Sequence, residues 1–320
     1  MPKMFVSSAP HIKNSETVSG IMRDVIISLI PAIIASIYFF GIKALLLETV
    51  CIIGAVLTEW SWCKIIGKKS TIYDLSAVVT GLLLAMVIPP QTPWWVALIG
   101  AFIAIFVAKE LFGGLGYNIF NPALIGRAFL LSSWPVYMTT WAKPEKLFSH
   151  NWFSISDAVT GATPLALAKT GEYTTKLSDL FLGNVGGSLG ETSAIALLLG
   201  AAYLAYKGHI TWHTPFSYIG TVALLTWIMG ETGAFHGHFL FHILAGGLIL
   251  GAFFMATDMV TSPLTHKGQI IFGLGAGLIV VFIRKFGGYP EGVCYSILLM
   301  NSVVPLIDRF TVPRKLGGVK

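Results

Sequence analysis

The chain has 320 residues, and only 11% of them are charged, whereas soluble globular proteins carry about 25% charged residues. Apolar residues other than glycine make up 55%, which is more than a soluble fold of this length can bury. This composition excludes a soluble enzyme, a disordered chain and a nucleic-acid-binding protein, and it indicates a polytopic membrane protein. The net charge of +6 is therefore interpreted as topological information rather than as affinity for acidic partners.

Ten apolar stretches are candidates for membrane-spanning helices, since a helix needs about 20 apolar residues to cross a bilayer. They cover residues 24–41, 44–63, 74–90, 93–111, 117–133, 191–206, 215–230, 238–256, 270–285 and 291–307. Most Lys and Arg residues of the short loops fall on the side of the N-terminus, which predicts cytoplasmic termini. The long loop at residues 134–190 is then extracytoplasmic. Arg284 and Lys285 are the exception, because they form a cationic pair on the predicted outer side.

A sequence repeat divides the chain into two halves. Phe112-Gly113-Gly114 follows the fourth span and Phe286-Gly287-Gly288 follows the ninth, with a proline 23 residues before each phenylalanine. Two copies of a five-span unit must be inverted, and inverted repeats place binding sites at their interface. The predicted fold is an all-α polytopic membrane protein of about ten transmembrane helices in two inverted five-helix repeats. The repeats comprise residues 1–133 and 191–320, and the extracytoplasmic loop at 134–190 joins them.

The glycine-rich segment after the fourth span is unusual inside a membrane. Asn118 and Asn121 offer hydrogen-bond donors and acceptors, and Pro122 interrupts a helix. Arg127 is costly at membrane depth, so it is expected to face protein or water rather than lipid. The segment predicts a broken helix that lines a polar cofactor or ion site. The alternative is a tight re-entrant turn whose asparagines satisfy freed backbone groups.

A second segment, Thr160-Gly161-Ala162-Thr163-Pro164, lies in the long loop. The proline favours an extended backbone at Thr163, which would present the hydroxyl outward. Gly161 and Ala162 leave room for a bulky substituent on that hydroxyl. Taken alone, this pattern is more typical of a helix cap or a turn.

Together, the two segments resemble the D subunits of Rnf ion-translocating oxidoreductases and their paralogues, the B subunits of sodium-translocating NADH:quinone reductases. The shared blocks are GGLGYNIFNPALIGRAFL at 113–130, TGATPL at 160–165, ATDMVTSP at 256–263 and PEGVCYSILLMN at 290–301. The similarity runs from about Pro10 to about Asp308. At Met259 the family pattern leads us to expect proline. The lack of a long N-terminal extension favours the Rnf protein over its paralogue.

This resemblance implies that FMN is attached through its phosphate to Thr163, the last residue of the family's [S/T]-G-A-T motif. It also implies electron transfer between ferredoxin and NAD in a complex with iron–sulfur subunits and a second covalent-flavin subunit, coupled to Na⁺ or H⁺ movement. A second, noncovalent flavin such as riboflavin at the repeat interface is left open. The expected location is the cytoplasmic membrane of a bacterium or archaeon. Thr163 would lie outside it, where the attaching enzyme works.

Ion coupling requires polar groups at membrane depth, and Glu59 and Asp258 are the candidates. No metal site is expected, because the three cysteines are isolated and form no CxxC pair. His238 and His242 share a helix face and suit either metal ligation or an interfacial polar cluster. The competing function is a passive channel or transporter that has the same inverted repeat and no redox cofactor.

Overall fold

The computed structural model describes residues 16–144, 161–230 and 235–312, and the regular secondary structure in these ranges is helical. The first half contains five helices: α1 (Val18–Phe40), α2 (Ile42–Ile66), α3 (Ser76–Met86), α4 (Trp94–Phe106) and α5 (Pro122–Ser133). Three short helices follow in the long loop: α6 (Pro135–Thr139), α7 (Pro164–Lys169) and α8 (Leu177–Leu182).

The second half begins with α9 (Ala194–Tyr206) and α10 (His213–Ile228). It continues through two short helices and a π-helical turn: α11 (Phe239–Leu244), α12 (Leu248–Leu250) and the turn Gly251–Met255. It ends with α13 (His266–Phe286) and α14 (Val293–Thr311). All ten sequence-predicted spans coincide with one of these helices or with a series of shorter segments.

Four helices of the described chain are long and apolar enough to cross a membrane: Val18–Phe40, Trp94–Phe112, His266–Phe286 and Val293–Thr311. The second of these includes a 3₁₀ turn, Glu110–Phe112, that continues α4. The all-helical architecture and these apolar helices agree with the polytopic membrane class expected from composition. All three cysteines are buried free thiols, as expected of packing residues.

Three of the predicted spans are interrupted. In the third predicted span the helix, α3, already ends at Met86, three residues before Pro89. The fifth begins only at Pro122, because Gly113, Gly114 and Gly116 adopt positive φ angles of 123°, 103° and 93°. The eighth is divided between α11 and α12, where Gly246 has a φ of 74°. Irregular backbone at such depth is tolerated where protein surrounds it.

A single apolar core contains residues from both halves, from Leu29 in α1 to Ile307 in α14. Helices α1 and α9 approach each other very closely. A Cβ on Gly200 would stand 2.0 Å from the Ser28 carbonyl oxygen, so only glycine permits this spacing. A smaller apolar cluster fixes the loop helices α7 and α8 against α11; it contains Leu165, Ala168, Leu180, Phe241 and Ala245.

Candidate functional site

Thr163 is the N-cap residue of α7. Its Oγ1 accepts a hydrogen bond from the Ala166 amide at 3.1 Å, and Pro164 occupies the first helical position, where its missing amide proton costs nothing. The Gly161 amide donates to the Trp141 carbonyl at 3.0 Å, which fixes the segment before the cap. The half-buried threonine is therefore held in place by its helix cap and by backbone pairing.

A cavity of 310 Å³ opens beside Thr163. Gly161, Ala162 and Arg127, three other residues predicted for the site, also line it. Its remaining wall includes the aromatic side chains Trp141, Tyr289 and Tyr295. The volume lies within the usual range for small-molecule sites, about 300–1,000 Å³. Thr160, the first residue of the motif, lies outside the described residues.

An ion-pair triad lies at this cavity: Arg127 and Glu291 line it, and Glu191 pairs with Arg127 from behind the lining. Arg127 Nη1 lies 2.7 Å from Glu191 Oε1, and Arg127 Nη2 lies 2.5 Å from Glu291 Oε2. The other oxygen of Glu291 accepts the Gly247 amide at 2.7 Å, at the break between α11 and α12. The expectation that Arg127 faces protein is confirmed. Its guanidinium joins α5, the start of α9 and the loop before α14.

A second cavity, of 350 Å³, contains the other predicted residues, Asn118, Asn121 and Asp258. Asn121 Oδ1 caps α5 by accepting the amides of Ala123 at 3.1 Å and Leu124 at 3.3 Å. The Nδ2 of Asn118 donates to the Phe120 carbonyl at 3.2 Å, but its Oδ1 is buried and has no partner among the described residues. Such an acceptor is costly unless a ligand or water satisfies it.

Asn121, in the fifth predicted span, contacts Asn301, in the tenth, beside this second cavity. The backbone amide of Asn121 donates to Asn301 Oδ1 at 3.3 Å, and Asn301 Nδ2 donates to the Thr261 carbonyl at 2.9 Å. Asn121 Nδ2 reaches the Met255 carbonyl at 3.4 Å, at the end of the π-helical turn. The amides thus satisfy backbone groups freed by the helix breaks. Asp258, half-buried nearby, accepts from the Thr261 hydroxyl at 3.1 Å.

Glu59 lies in a separate buried cluster behind this cavity. Lys109, which also lines the cavity, donates from Nζ to Glu59 Oε2 at 2.7 Å and to the Ser76 hydroxyl at 2.6 Å. The Thr71 hydroxyl donates to the other oxygen of Glu59. Glu59 is fully buried and Lys109 is 2% exposed, so the ion pair is withdrawn from solvent. Lys109 was not singled out from the sequence for this role.

Within the described ranges, no group of three or more His, Cys, Asp or Glu side chains is arranged to hold a metal ion. His238 and His242 belong instead to an aromatic cluster around Tyr173, whose ring centroid lies 4.5 Å from that of His238.

Comparison with known proteins identifies the family. A model of the NQR2, RnfD, RnfE family matches residues 5–317 of the chain. The chain belongs to this family. This result confirms the resemblance carried by the sequence blocks, and the shared region includes both cavities.

Curated members of the family are similar over nearly their whole length. The D subunit of the proton-translocating ferredoxin:NAD(+) oxidoreductase complex of Clostridium ljungdahlii is 53% identical, over 98% of this chain and 96% of that protein. The D subunit of the Na(+)-translocating ferredoxin:NAD(+) oxidoreductase complex of Acetobacterium woodii is 48% identical, with the same coverage. The D subunit of the ion-translocating oxidoreductase complex of Stutzerimonas stutzeri is 38% identical, over 94% of this chain and 92% of that protein.

Proposed function

We propose that the chain is the D subunit of a membrane-bound Rnf complex, a ferredoxin:NAD oxidoreductase that moves Na⁺ or H⁺. In this proposal the protein relays electrons through FMN joined to Thr163 by a phosphoester. The observation that supports it best is the position of Thr163, which is held at the wall of a ligand-sized cavity that contains aromatic side chains. The names of the curated relatives support membership of such a complex.

The residues around Thr163 fit a bulky phosphoester. Ala162 is exposed, and Gly161 adds no side chain, so the oxygen is open on one side. Lys143 runs past this segment, because its Cε lies 2.9 Å from where a Cβ on Gly161 would stand. Lys143 thus offers a cation near the phosphate, whereas Arg127 already has two carboxylate partners. The rings of Trp141, Tyr289 and Tyr295 offer flat apolar surfaces to a planar ring system.

FMN, when bound, supplies the ability to accept two electrons and to release them one at a time. The chain supplies attachment, orientation and a low-dielectric wall. The triad of Arg127, Glu191 and Glu291 places fixed charges at the cavity and holds α5 and the α14 loop together. These groups set the local potential from fixed positions, because each is paired and the Arg127–Glu191 pair is buried. NAD binding is assigned to another subunit, since the chain has no strand-borne G-x-G-x-x-G fingerprint.

The second cavity suits a noncovalent flavin such as riboflavin. Asn118 Oδ1 needs a donor, and a flavin ring carries one N–H group that could provide it. Asn121 and residues of the π-helical turn also line this cavity. The contact between Asn121 and Asn301 joins the fifth and the tenth predicted spans, the last span of each half. Two such repeats of five spans, about ten transmembrane helices in all, remain part of this proposal.

The proposed location is the cytoplasmic membrane, with both termini in the cytoplasm and the Thr163 cavity on the outer side. The proposed partners are the second covalent-flavin subunit and the iron–sulfur subunits of the complex. A passive channel or transporter remains the competing function, since an inverted repeat and polar cavities suit either class. Covalent flavin separates the two, because a passive channel has no use for a redox cofactor.

Thr163→Ala is expected to abolish covalent flavin. The full-length chain, produced in cells that contain the flavin transferase, is denatured, separated on a gel and viewed under ultraviolet light. The wild-type band is expected to fluoresce and to have a mass higher by one FMN less one water. The matched control is Thr139→Ala, because Thr139 lines the same cavity and should leave the signal unchanged. A wild-type band without fluorescence would contradict the flavin assignment and favour the channel.

Glu59→Gln and Asp258→Asn are expected to reduce ion uptake more than electron transfer. Each amide removes a buried or half-buried negative charge that a passing cation would encounter. The measurement is ion uptake per electron by the complete complex in vesicles. Glu172→Gln, at an exposed loop position, is the matched control. If a variant keeps the wild-type ratio of ions to electrons, its residue is not part of the ion path.

A further inference from the structure

A third cavity, of 320 Å³, lies between α7, α10, α11 and α13. Two features of the sequence that the proposed electron path leaves unused meet there. One is the cationic pair Arg284 and Lys285, which contradicts the positive-inside rule in the predicted topology. The other is the histidine cluster before and within α11. The ionisable side chains that line the cavity are Lys169, Tyr173, His236, His238, His242, Arg284 and Lys285.

Arg284 lies deepest among these cations and is 7% exposed. Its Nη1 donates to the His242 carbonyl at 2.6 Å and its Nη2 donates to the Ala245 carbonyl at 3.3 Å, where α11 ends. Its Nε and the Nδ1 of His242 are buried and have no hydrogen-bond partner among the described residues. Among the described residues, these two neighbouring polar groups therefore lack the hydrogen-bond partner that buried polar groups normally have.

Among the described side chains the lining of the cavity is net positive, and Glu191 and Glu291, which lie outside the lining, offset part of the charge of Arg284. No carboxylate is among the described residues that line it. The two lysines are exposed and bond to carbonyls in this part of the chain: Lys285 Nζ to Met229 at 3.2 Å, and Lys169 Nζ to Gly287. A neutral carbonyl does not cancel an ammonium charge. Both flexible amines can turn toward an anion at the cavity mouth.

Four exposed aromatic residues are sequence neighbours of residues that line the cavity. Trp227 and Phe235 pack at a centroid distance of 5.1 Å, and Phe282 and Phe286 form a second pair at the same distance. All four are more than 40% exposed. In membrane proteins, aromatic side chains at helix ends lie at the level of the lipid headgroups. The cavity therefore opens where a phosphate group on a lipid would be found.

We infer that this cavity binds the phosphate group of an anionic phospholipid. Basic pockets between membrane helices recognise such headgroups, and Arg and Lys both pair with phosphate oxygens. The acyl chains would pass over the exposed aromatic pairs. This site explains why cations are kept on the predicted outer side, because their charge serves binding there. The cavity shares only Pro290 with the lining of the Thr163 cavity, so the inference does not depend on the flavin proposal.

The test uses the purified full-length chain after removal of lipid in a nonionic detergent. Phosphatidylglycerol, phosphatidylcholine or inorganic phosphate is titrated in, and bound molecules are counted by native mass spectrometry. Phosphatidylglycerol is expected to bind and to raise the unfolding temperature, whereas phosphatidylcholine binds much more weakly. The double variant Lys169→Gln/Lys285→Gln is expected to weaken phosphatidylglycerol binding by about thirtyfold, since each basic side chain near a lipid surface contributes about fivefold.

The matched control is Lys64→Gln/Lys267→Gln, which removes two exposed lysines from other helix ends and should bind as wild type does. Both pairs are exposed, so both double variants are expected to fold. Competition by inorganic phosphate, lost in the cavity variant, would support recognition through the phosphate group. Binding of inorganic phosphate without any binding of phosphatidylglycerol would overturn the lipid assignment. Equal binding of phosphatidylglycerol by the wild type and the cavity variant would overturn the site itself.

Discussion

Replacing Arg127 with methionine is expected to destabilise the chain by about 3–5 kcal/mol. The substitution leaves Glu191 and Glu291 without the cation that both contact, and Glu191 is 6% exposed. Without the arginine, the two neighbouring carboxylates repel each other in a region of low dielectric constant where little water can solvate them. The loss is measured as unfolding of the purified chain in detergent. The control Arg309→Met removes an exposed arginine and should change stability by less than about 0.5 kcal/mol.

The same triad allows a second comparison. Glu291→Gln leaves one Arg127–Glu191 pair and keeps an oxygen for the Gly247 amide, so it should cost much less than Arg127→Met. The triple variant Arg127→Met/Glu191→Gln/Glu291→Gln should regain most of the stability lost with Arg127, because no charge of the triad remains buried. Equal stability of Arg127→Met and the wild type would show that the triad is not a buried ionic unit.

Replacing Lys109 with methionine is expected to lower the free energy of unfolding by a similar amount, again about 3–5 kcal/mol. Glu59 is fully buried, and without the ammonium it retains only the Thr71 hydroxyl among its described partners. Glu59→Gln should be milder, because Glu110 Oε1 lies 3.9 Å from Lys109 Nζ and still faces the cation. The double variant Lys109→Met/Glu59→Gln closes the cycle and should be more stable than Lys109→Met alone.

The measurement for this pair is again unfolding in detergent, now with Lys267→Met as the exposed-lysine control. If the two single variants lose the same free energy and their losses add, Glu59 and Lys109 act independently. That result would remove the buried pair from any account of ion movement. A large coupling energy would instead show that Glu59 is held by Lys109 and must be released before it can meet another cation.

Much of the fold could be predicted from the sequence because membrane helices need long apolar stretches. Every predicted span contains a helix, including those of α1, α13 and α14. The interruptions were harder to predict. Periodicity locates apolar surface, but it does not show that Gly113, Gly114 and Gly116 take positive φ angles or that a π-helical turn follows α12. Those features depend on contacts between the two halves, such as Asn121 with Asn301.

The candidate sites, like the fold, could be predicted from the sequence only in part. Sequence motifs indicated Thr163 and Arg127, and the structure places them on one cavity. Asn118 and Asn121 are close to Arg127 in sequence, yet they line the other cavity because α5 begins between them and the arginine. The partners Glu191 and Glu291 begin the sixth and the tenth predicted spans, on the same predicted side of the membrane as Arg127 near the end of the fifth. A buried arginine in a membrane protein needs a negatively charged partner, and this requirement could have predicted that Arg127 pairs with Glu191 and Glu291.

Helix α5 also fixes the distance between Asn121 and Arg127. Asn121, at its N-cap, belongs to one cavity, and Arg127 belongs to the other. Six residues of α-helix rise about 9 Å, and hydrogen bonds hold that rise nearly constant. The helix therefore sets a fixed distance between the residues that it contributes to the two cavities. Bilayer thickness or headgroup composition can tilt the whole protein, but neither can stretch this interval, so the distance between Asn121 and Arg127 stays the same in membranes of different thickness.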